Sequence, residues 1–143
     1  MTKAIYFDMD GTIANLYGVD NWLDYLIKYD STPYEIAKPM LNMSVLARIL
    51  NRLQREGYII GIISWLSKTS TPEYGEKVRQ AKINWLKKHL KSVKFDSIQI
   101  VDYGIPKYTL GKGILFDDEI ENRNAWGEGA YDVDNILGVL KTL

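Results

Sequence analysis

The sequence contains no cysteine. Disulfide bonds and thiolate metal sites are therefore excluded, and the chain is compatible with a reducing compartment. Neither sign of charge predominates, because 18 Lys and Arg residues balance 18 Asp and Glu residues. The protein thus has no global basic field that would attract nucleic acid, although a local basic patch is compatible with this balance.

Long hydrophobic runs are also missing. No apolar stretch approaches the roughly 20 residues that span a bilayer, and the N-terminus shows no charged-then-apolar signal segment. We therefore expect a soluble, cytoplasmic protein with no membrane partner. Its 143 residues, 46% of them hydrophobic, predict one domain over residues 1–143 with a sizeable core.

Short apolar runs alternate with amphipathic stretches along the chain. Strands are predicted over 3–8, 58–64, 97–102, 113–118 and 130–133. Helices are predicted over 20–30, 44–57, 70–90, 119–128 and 134–142. This alternation predicts an α/β fold, a Rossmann-like parallel sheet with helices on both faces.

Capping signals mark the two longest helices. Ser44 is the expected cap of the first, and Gly57 its stop. The second begins at Thr71 and Pro72, a good N-cap and first-turn pair.

The segment 13–43 does not fit the alternation. A direct crossover between the first two strands needs only the helix at 44–57, so this segment is a cap-like insert of about 30 residues that holds one helix. It follows the first strand on the side where open sheets bind ligands. Trp22, Leu23, Leu26 and Ile27 are expected to form a stripe that packs the insert onto the core.

Polar residues follow the strands where each one ends. The sequence places Asp8 and Asp10 after the first strand, Ser64 after the second, and Asp117 with Asp118 after the fourth. Residues two apart in a strand point the same way, so Asp8 and Asp10 would repel unless a cation lies beside them. Because ligands bind at the carboxyl edge of a parallel sheet, these groups predict an oxygen-rich Mg²⁺ site.

The motifs at these strand ends resemble those of the haloacid dehalogenase (HAD) superfamily of phosphotransferases. "DMDGT" resembles its first motif, "YIIGIIS" its second, and "PKYTLGKGILFDDEIENRNAW" its third and fourth run together. The short spacing from the lysine to the acids is similar to that of the 5′(3′)-deoxyribonucleotidase branch and small phage-type relatives. The resemblance implies the HAD-like fold with a minimal helical cap.

The resemblance also implies the chemical roles of the acids. Asp8 would attack phosphorus to give an aspartyl-phosphate, and Asp10 would protonate the leaving group and then activate water. Mg²⁺ would be held by Asp8, Asp118 and Asp10, the last through its backbone carbonyl. Asp117 would orient Lys107 or a metal-bound water.

Four further residues complete the implied site. Ser64 would hydrogen-bond the transferring phosphoryl oxygens, and Lys107 would stabilise their charge. Gly11 would permit the tight departure from the strand, and Thr12 would brace the loop.

Several neighbouring residues have weaker claims. Lys112 competes with Lys107, but the spacing to the acidic pair favours Lys107. Asp102 is expected to be a loop carboxylate, and His89 a solvated residue at a helix end. Asn122 is expected to cap or pair on the surface by default, with assistance to the site as the alternative.

These expectations describe a Mg²⁺-dependent phosphatase, a phosphomonoester hydrolase that takes a small phosphorylated substrate. The implied substrate class is a nucleotide or a nucleic-acid phosphate end, as for a nucleotidase. Two alternatives stay open: a non-catalytic regulatory protein that binds phosphate and metal, and a phosphatase for a protein or sugar phosphate. A receiver-type signalling domain does not fit, because there the acid pair follows the first strand.

Overall fold

A parallel five-stranded sheet forms the centre of the protein. The structure is a computed structural model and describes residues 3–143. The sheet strands are β1 (Ala4–Phe7), β4 (Ile59–Trp65), β5 (Ser97–Val101), β6 (Ile114–Phe116) and β7 (Ala130–Tyr131). Their spatial order is β5-β4-β1-β6-β7, with every pairing parallel. The predicted fold class and all five predicted strands are confirmed.

Burial on both faces explains why β1 and β4 read as continuous apolar runs. All four residues of β1 are buried, and Ile5 and Phe7 pack in a different cluster from Ala4 and Tyr6. Successive side chains of a strand point to opposite faces, so each face of β1 contributes to its own core. β1 is therefore the central strand, which explains its lack of polar residues.

Helices surround the sheet. They are α1 (Trp22–Ile27), α2 (Thr32–Ile36), α3 (Met43–Arg55), α4 (Pro72–His89), α5 (Ile120–Trp126) and α6 (Ile136–Lys141). The larger cluster joins one sheet face to residues of α3, α4 and α6, and the smaller cluster on the other face is closed by Trp126 of α5. No helix within residues 3–143 is long and apolar enough to cross a membrane.

The capping predictions are confirmed for α4 and for the end of α3, where Gly57 follows the helix with φ +97°, but the predicted N-cap of α3 is wrong. Thr71 caps α4 by accepting a hydrogen bond from the Tyr74 backbone N–H at 3.1 Å. In α3 the cap is Asn42, whose side-chain oxygen accepts from the Val45 N–H at 3.1 Å, and not Ser44. Asn and Ser are similarly strong caps, so the choice between them depended on where the preceding insert delivers the chain.

The insert holds more structure than the sequence predicted. Besides α1 it contains α2 and a two-stranded antiparallel sheet of β2 (Ala14–Asn15) and β3 (Lys38–Pro39). Two hydrogen bonds from α4 hold it in place: Tyr74 Oη donates to the Asp30 carbonyl at 2.9 Å, and Trp85 Nε1 donates to the Ala37 carbonyl at 2.7 Å. The insert therefore rests on α4.

The expected packing stripe of α1 is confirmed only in part, because Leu26 packs against a buried cluster that includes Leu16 and Tyr34. No residue of α1 is buried, and Leu23 and Ile27 are 53% and 67% exposed. The apolar face of this short helix mainly borders a cavity. An apolar stripe indicates a face turned away from water, but it cannot distinguish a core from a binding pocket.

Candidate active site

Three carboxylates meet at the carboxyl edge of the sheet. Asp8 follows β1, and Asp117 and Asp118 follow β6, which is its direct neighbour. The Asp8 N–H donates to the Phe116 carbonyl at 2.9 Å, which fixes the two strand ends side by side. Ligand oxygens of the three side chains lie within 4.8 Å of one another. The sheet register therefore produces the acidic cluster that the strand ends predicted.

Lys107 lies between two of these carboxylates. It comes from a 3₁₀ turn, Lys107–Thr109, and its Nζ donates to Asp8 Oδ1 at 2.9 Å and to Asp117 Oδ2 at 2.7 Å. Burial by itself lowers the pKa of Lys107, but the charges of Asp8 and Asp117 outweigh this and raise the pKa above its ordinary value. Lys107 is thus a permanent cation at the base of the site, whereas the competing Lys112 is exposed.

The loop after β1 braces the cluster from the other side. The Thr12 hydroxyl lies 3.0 Å from Asp8 Oδ2 and 3.2 Å from Asp118 Oδ1, and it accepts a hydrogen bond from the Asp118 N–H. Gly11 has φ +77°, and a Cβ there would collide with the Asp118 carboxylate. Only glycine allows this backbone so close to the acid, which agrees with the predicted placement of both residues.

Asp117 is the most enclosed acid of the cluster, and its partners hold it rigidly. It is fully buried and accepts hydrogen bonds from Lys107, from the Glu119 N–H at 2.9 Å and from Asn122 Nδ2 at 3.1 Å. Asn122 therefore contacts the cluster, which corresponds to the alternative expected for it and not to the default surface role. The hydrogen bond with Lys107 fits the orienting role expected for Asp117, which stays a prediction.

The acids repel one another strongly. Burial, followed by the charge of Asp8, raises the pKa of Asp118 to about 8. The same two causes raise the pKa of Asp117 to about 6. Burial, followed by the charges of Asp10, Asp118 and Asp8, also raises the pKa of Tyr17, which faces this group. The cluster thus holds more negative charge than Lys107 neutralises.

This excess of negative charge fits a divalent cation. The donors are hard carboxylate oxygens, which Mg²⁺ prefers, and Asp118 in particular has no cationic partner among residues 3–143. The third carboxylate of the cluster is Asp117 and not Asp10, whose side chain is engaged elsewhere. The role expected for Asp10, through its backbone carbonyl, stays a prediction.

Mg²⁺ is expected to stabilise the protein more as the pH rises. The pKa of Asp118 is 3.8 in an unperturbed chain and about 8 in the folded protein, so the folded state binds the extra proton between these values. In EDTA, stability should therefore fall as pH rises from 5 towards 8, and Mg²⁺ should remove this loss by replacing the proton. The melting temperature measured with Mg²⁺ and with EDTA across this range checks it.

Asp118→Asn is the matched control for this titration. It removes the titrating group, so the melting temperature in EDTA should lose most of its pH dependence, and the effect of Mg²⁺ should shrink. A Mg²⁺ effect that is the same at pH 5.5 and pH 8, or the same in Asp118→Asn, would contradict the assignment.

Asp10 and Ser64 share a partner that the sequence reasoning missed. Lys82 of α4 is 1% exposed, and its Nζ lies 2.8 Å from Asp10 Oδ2 and 2.7 Å from Ser64 Oγ. A signal was available, because Lys82 lies four residues after Val78 and three before Trp85, on the apolar stripe of α4. Burial is the largest influence on the pKa of Asp10 and raises it. Attraction to Lys82 lowers the pKa and repulsion from Asp8 raises it, and the net result is a raised pKa.

Ser64 lies deeper in the protein than the residues that a ligand from solvent would contact directly. Its side chain is fully buried, and it does not contribute to the wall of the cavity described next. The structure therefore brings Ser64 to Lys82, while its expected contact with a phosphoryl group stays a prediction.

A cavity of about 460 Å³ opens above the carboxylates. Its floor includes Asp8, Asp10, Lys107, Asp117 and Asp118. Its walls are mainly aromatic and apolar: Leu16, Tyr17, Trp22, Leu23, Leu26, Ile27 and Tyr34 from the insert, and Trp65, Leu66 and Tyr103 from the core. The insert forms one wall and leaves the cavity open to solvent.

Two aromatic pairs face this cavity. The ring centroids of Tyr17 and Trp22 are 4.9 Å apart, and so are those of Trp65 and Tyr103. Trp65 is fixed by a hydrogen bond from Nε1 to the Ile105 carbonyl at 2.8 Å. Asp102 is exposed and lies outside the cavity wall, in agreement with its expected role as a loop carboxylate.

Comparison with known proteins supports the fold. The chain is similar to the crystal structure of D,D-heptose 1,7-bisphosphate phosphatase from Burkholderia thailandensis, with a TM-score of 0.57 and 12% sequence identity over 99% of this chain and 97% of that one. No protein-family model matches the chain, and no curated protein matches it. At this identity the likeness establishes a shared fold.

Proposed function

We propose that this protein is a Mg²⁺-dependent phosphomonoester hydrolase that acts through an aspartyl-phosphate on Asp8. One observation carries the proposal: the Asp8 carboxylate lies at the floor of an open cavity, between the Lys107 ammonium and the Asp118 carboxylate. A nucleophile in this position has a cation on one side and a cation-binding acid on the other. The phosphatase fold of the neighbour supports the same class of reaction.

The acids would hold the metal in a defined way. Asp8 and Asp118, with the Asp10 backbone carbonyl, would bind Mg²⁺, while Asp117 remains committed to Lys107. Bound there, Mg²⁺ would neutralise the charge that otherwise prevents one anion from approaching another.

The chain's own residues account for both half-reactions. An Asp8 oxygen bonds to phosphorus while the bond between phosphorus and the leaving-group oxygen breaks. The leaving-group oxygen takes a proton from Asp10. A water then loses a proton to Asp10 and attacks phosphorus, which releases phosphate and restores Asp8. Lys107 stabilises the negative charge on the phosphoryl oxygens during both steps.

The cavity walls favour a substrate with a planar, weakly charged leaving group. Above the carboxylates the lining offers five aromatic side chains but, beyond Lys107, only Lys68 as a basic side chain. Rings of this kind stack on nucleobases. We therefore propose a nucleoside monophosphate, or the phosphorylated end of a nucleic acid that enters from the open side.

A sugar bisphosphate fits this cavity less well. The structural neighbour is a phosphatase of such a compound, and its second phosphate would require additional positive charge. The cavity lining instead carries Glu119 and Glu121 alongside Lys68. This substrate class is the second candidate, and the following experiment separates the two.

Phosphate release should require Mg²⁺ and should be faster for nucleoside monophosphates than for sugar phosphates of similar charge. The measurement is kcat/KM over a panel of nucleoside 5′- and 3′-monophosphates, para-nitrophenyl phosphate and sugar mono- and bisphosphates, with Mg²⁺ and with EDTA. In Trp22→Ala, kcat/KM for nucleotides should fall about tenfold through KM, because one stacking surface is lost.

Tyr25→Ala is the matched control, since Tyr25 lies on the same helix but outside the cavity wall. Tyr25→Ala should leave the ranking of the substrates unchanged. With glycerol phosphate as a further substrate, kcat/KM should change in neither Trp22→Ala nor Tyr25→Ala. A panel led by sugar bisphosphates would contradict the nucleotide proposal. Absence of turnover on every substrate by a folded protein that binds Mg²⁺ would contradict the hydrolase proposal and favour a binding role.

A further inference from the structure

Lys82 is a buried cation that the hydrolysis steps above do not use. It reaches from the middle of α4 to the floor of the cavity and is 1% exposed. Its three hydrogen bonds are to Asp10 Oδ2 at 2.8 Å, Ser64 Oγ at 2.7 Å and the Trp65 carbonyl at 2.8 Å. The Tyr34 ring lies over the ammonium, with its centroid 5.2 Å from Nζ.

These contacts use the full donor capacity of the lysine. An ammonium has three N–H donors and no acceptor, and three oxygens lie at hydrogen-bonding distance from it. The acceptors come from the loop after β1 and from β4, while Tyr34 of the insert closes the fourth side. The geometry therefore leaves the Lys82 side chain a single orientation.

The contact with Asp10 distinguishes its two carboxylate oxygens. Oδ2 accepts from Lys82, and because the ammonium can only donate, Oδ2 cannot point a proton of its own at Nζ. Asp10 lines the cavity, with 16% of its side chain exposed, so Oδ1 is the oxygen left for a ligand. A carboxylate that is held by one oxygen presents the other in a fixed direction.

We propose that Lys82 is a positioning residue that fixes Asp10 so that Oδ1 exchanges the proton with the leaving group and then with water. This inference rests on the proposed phosphomonoester hydrolysis. In the first step the leaving oxygen receives the electron pair of the breaking phosphorus–oxygen bond and the proton from Oδ1, while Oδ2 keeps its hydrogen bond from Lys82. In the second step water returns a proton to Oδ1.

Ser64 acquires a related role. Its hydroxyl accepts from Lys82 while fully buried, so it stops the ammonium from swinging away from Asp10. The strand-end serine thus acts on Asp10 through Lys82, as a second positioning residue behind the cavity floor.

The dependence on the leaving group tests this proposal. In Lys82→Met, kcat/KM for benzyl phosphate should fall on the order of 10²-fold, because its alkoxide cannot leave without a proton. The same constant for para-nitrophenyl phosphate should change much less, since the nitrophenolate leaves unprotonated. kcat/KM is the proper measure, because it excludes the later hydrolysis of the phosphoenzyme.

Controls separate positioning from loss of structure. Lys87→Met, an exposed lysine of the same helix, should match the wild type on both substrates. Asp10→Asn should reproduce the selective loss, and adding Lys82→Met to it should cause little further change. Lys82→Gln keeps a donor and should lie between the wild type and Lys82→Met, which provides a readout if the methionine variant does not fold.

Two other results would overturn the inference and can be told apart. An equal fall for both substrates in Lys82→Met and Lys82→Gln would show that Lys82 only supports the fold. A wild type that is inactive on both substrates would overturn the hydrolase proposal itself, and the role of Lys82 with it.

Discussion

Replacing Asp8 by asparagine should abolish phosphate release, with kcat reduced on the order of 10³-fold or more. The amide has nearly the same shape, and its oxygen can still accept from Lys107 or Thr12, so the fold should persist. It cannot, however, form the bond to phosphorus that defines the proposed reaction. Phosphate release by the purified variant, measured with Mg²⁺ on para-nitrophenyl phosphate, checks this expectation.

The same substitution should stabilise the protein in the absence of metal. The charge of Asp8 contributes to the raised pKa values of Asp117 and Asp118, so its removal relieves repulsion within the cluster. We therefore expect an inactive variant whose melting temperature in EDTA is at least that of the wild type. A loss of activity caused by misfolding would instead lower the melting temperature.

Asp102→Asn is the matched control. Asp102 also ends a strand of the sheet, next to β4, but it is exposed and lies outside the cavity wall. This variant should retain wild-type turnover. Substantial activity in Asp8→Asn, or an equal loss in Asp102→Asn, would rule out Asp8 as the nucleophile.

Replacing Lys107 by methionine should produce the largest loss of stability together with a large loss of activity. The side chain of Lys107 is 2% exposed and that of its partner Asp117 is 0% exposed, so the substitution leaves buried carboxylates without their cation. Breaking a buried pair in this way costs about 3–5 kcal/mol of unfolding free energy. For a protein of this size the melting temperature should fall on the order of 10 °C.

The loss of activity has a separate cause and measurement. Lys107 is the cation that would stabilise charge on the transferring phosphoryl group, so kcat should fall by about 10²–10³-fold at temperatures where the variant is folded. Lys112→Met, an exposed lysine five positions away, should change neither property. Thermal unfolding that is unchanged in Lys107→Met would contradict the ion-pair geometry, and unchanged kcat would contradict the catalytic role.

The Mg²⁺ titration and these two variants address different parts of one site. Asp8→Asn removes the nucleophile and relieves charge, whereas Lys107→Met removes the resident cation and increases the charge imbalance. Mg²⁺ should therefore recover part of the stability that Lys107→Met loses, because a bound cation reduces the repulsion among the carboxylates that Lys107 no longer neutralises. The three results together distinguish an acidic catalytic cluster from a purely structural one.

The sequence by itself was sufficient for the sheet and for the carboxylate cluster. Apolar runs that alternate with amphipathic helices dictate a parallel sheet, and a parallel sheet brings the ends of its strands to one edge. Asp8 and Asp117 are therefore neighbours because each of them follows the end of its own strand. Lys107 could be chosen over Lys112 from spacing alone, because the short turn before β6 allows little freedom.

Only the tertiary structure decided the role of Lys82, the depth of Ser64 and the use of the insert. Lys82 and Asp10 are 72 residues apart, and their contact depends on how α4 packs beneath the sheet edge. The apolar stripe of α1 lines a pocket more than it packs on the core, and hydrophobic periodicity cannot distinguish these two uses. Local patterns specify which face of an element avoids water, whereas the partner on that face is set by packing between distant segments.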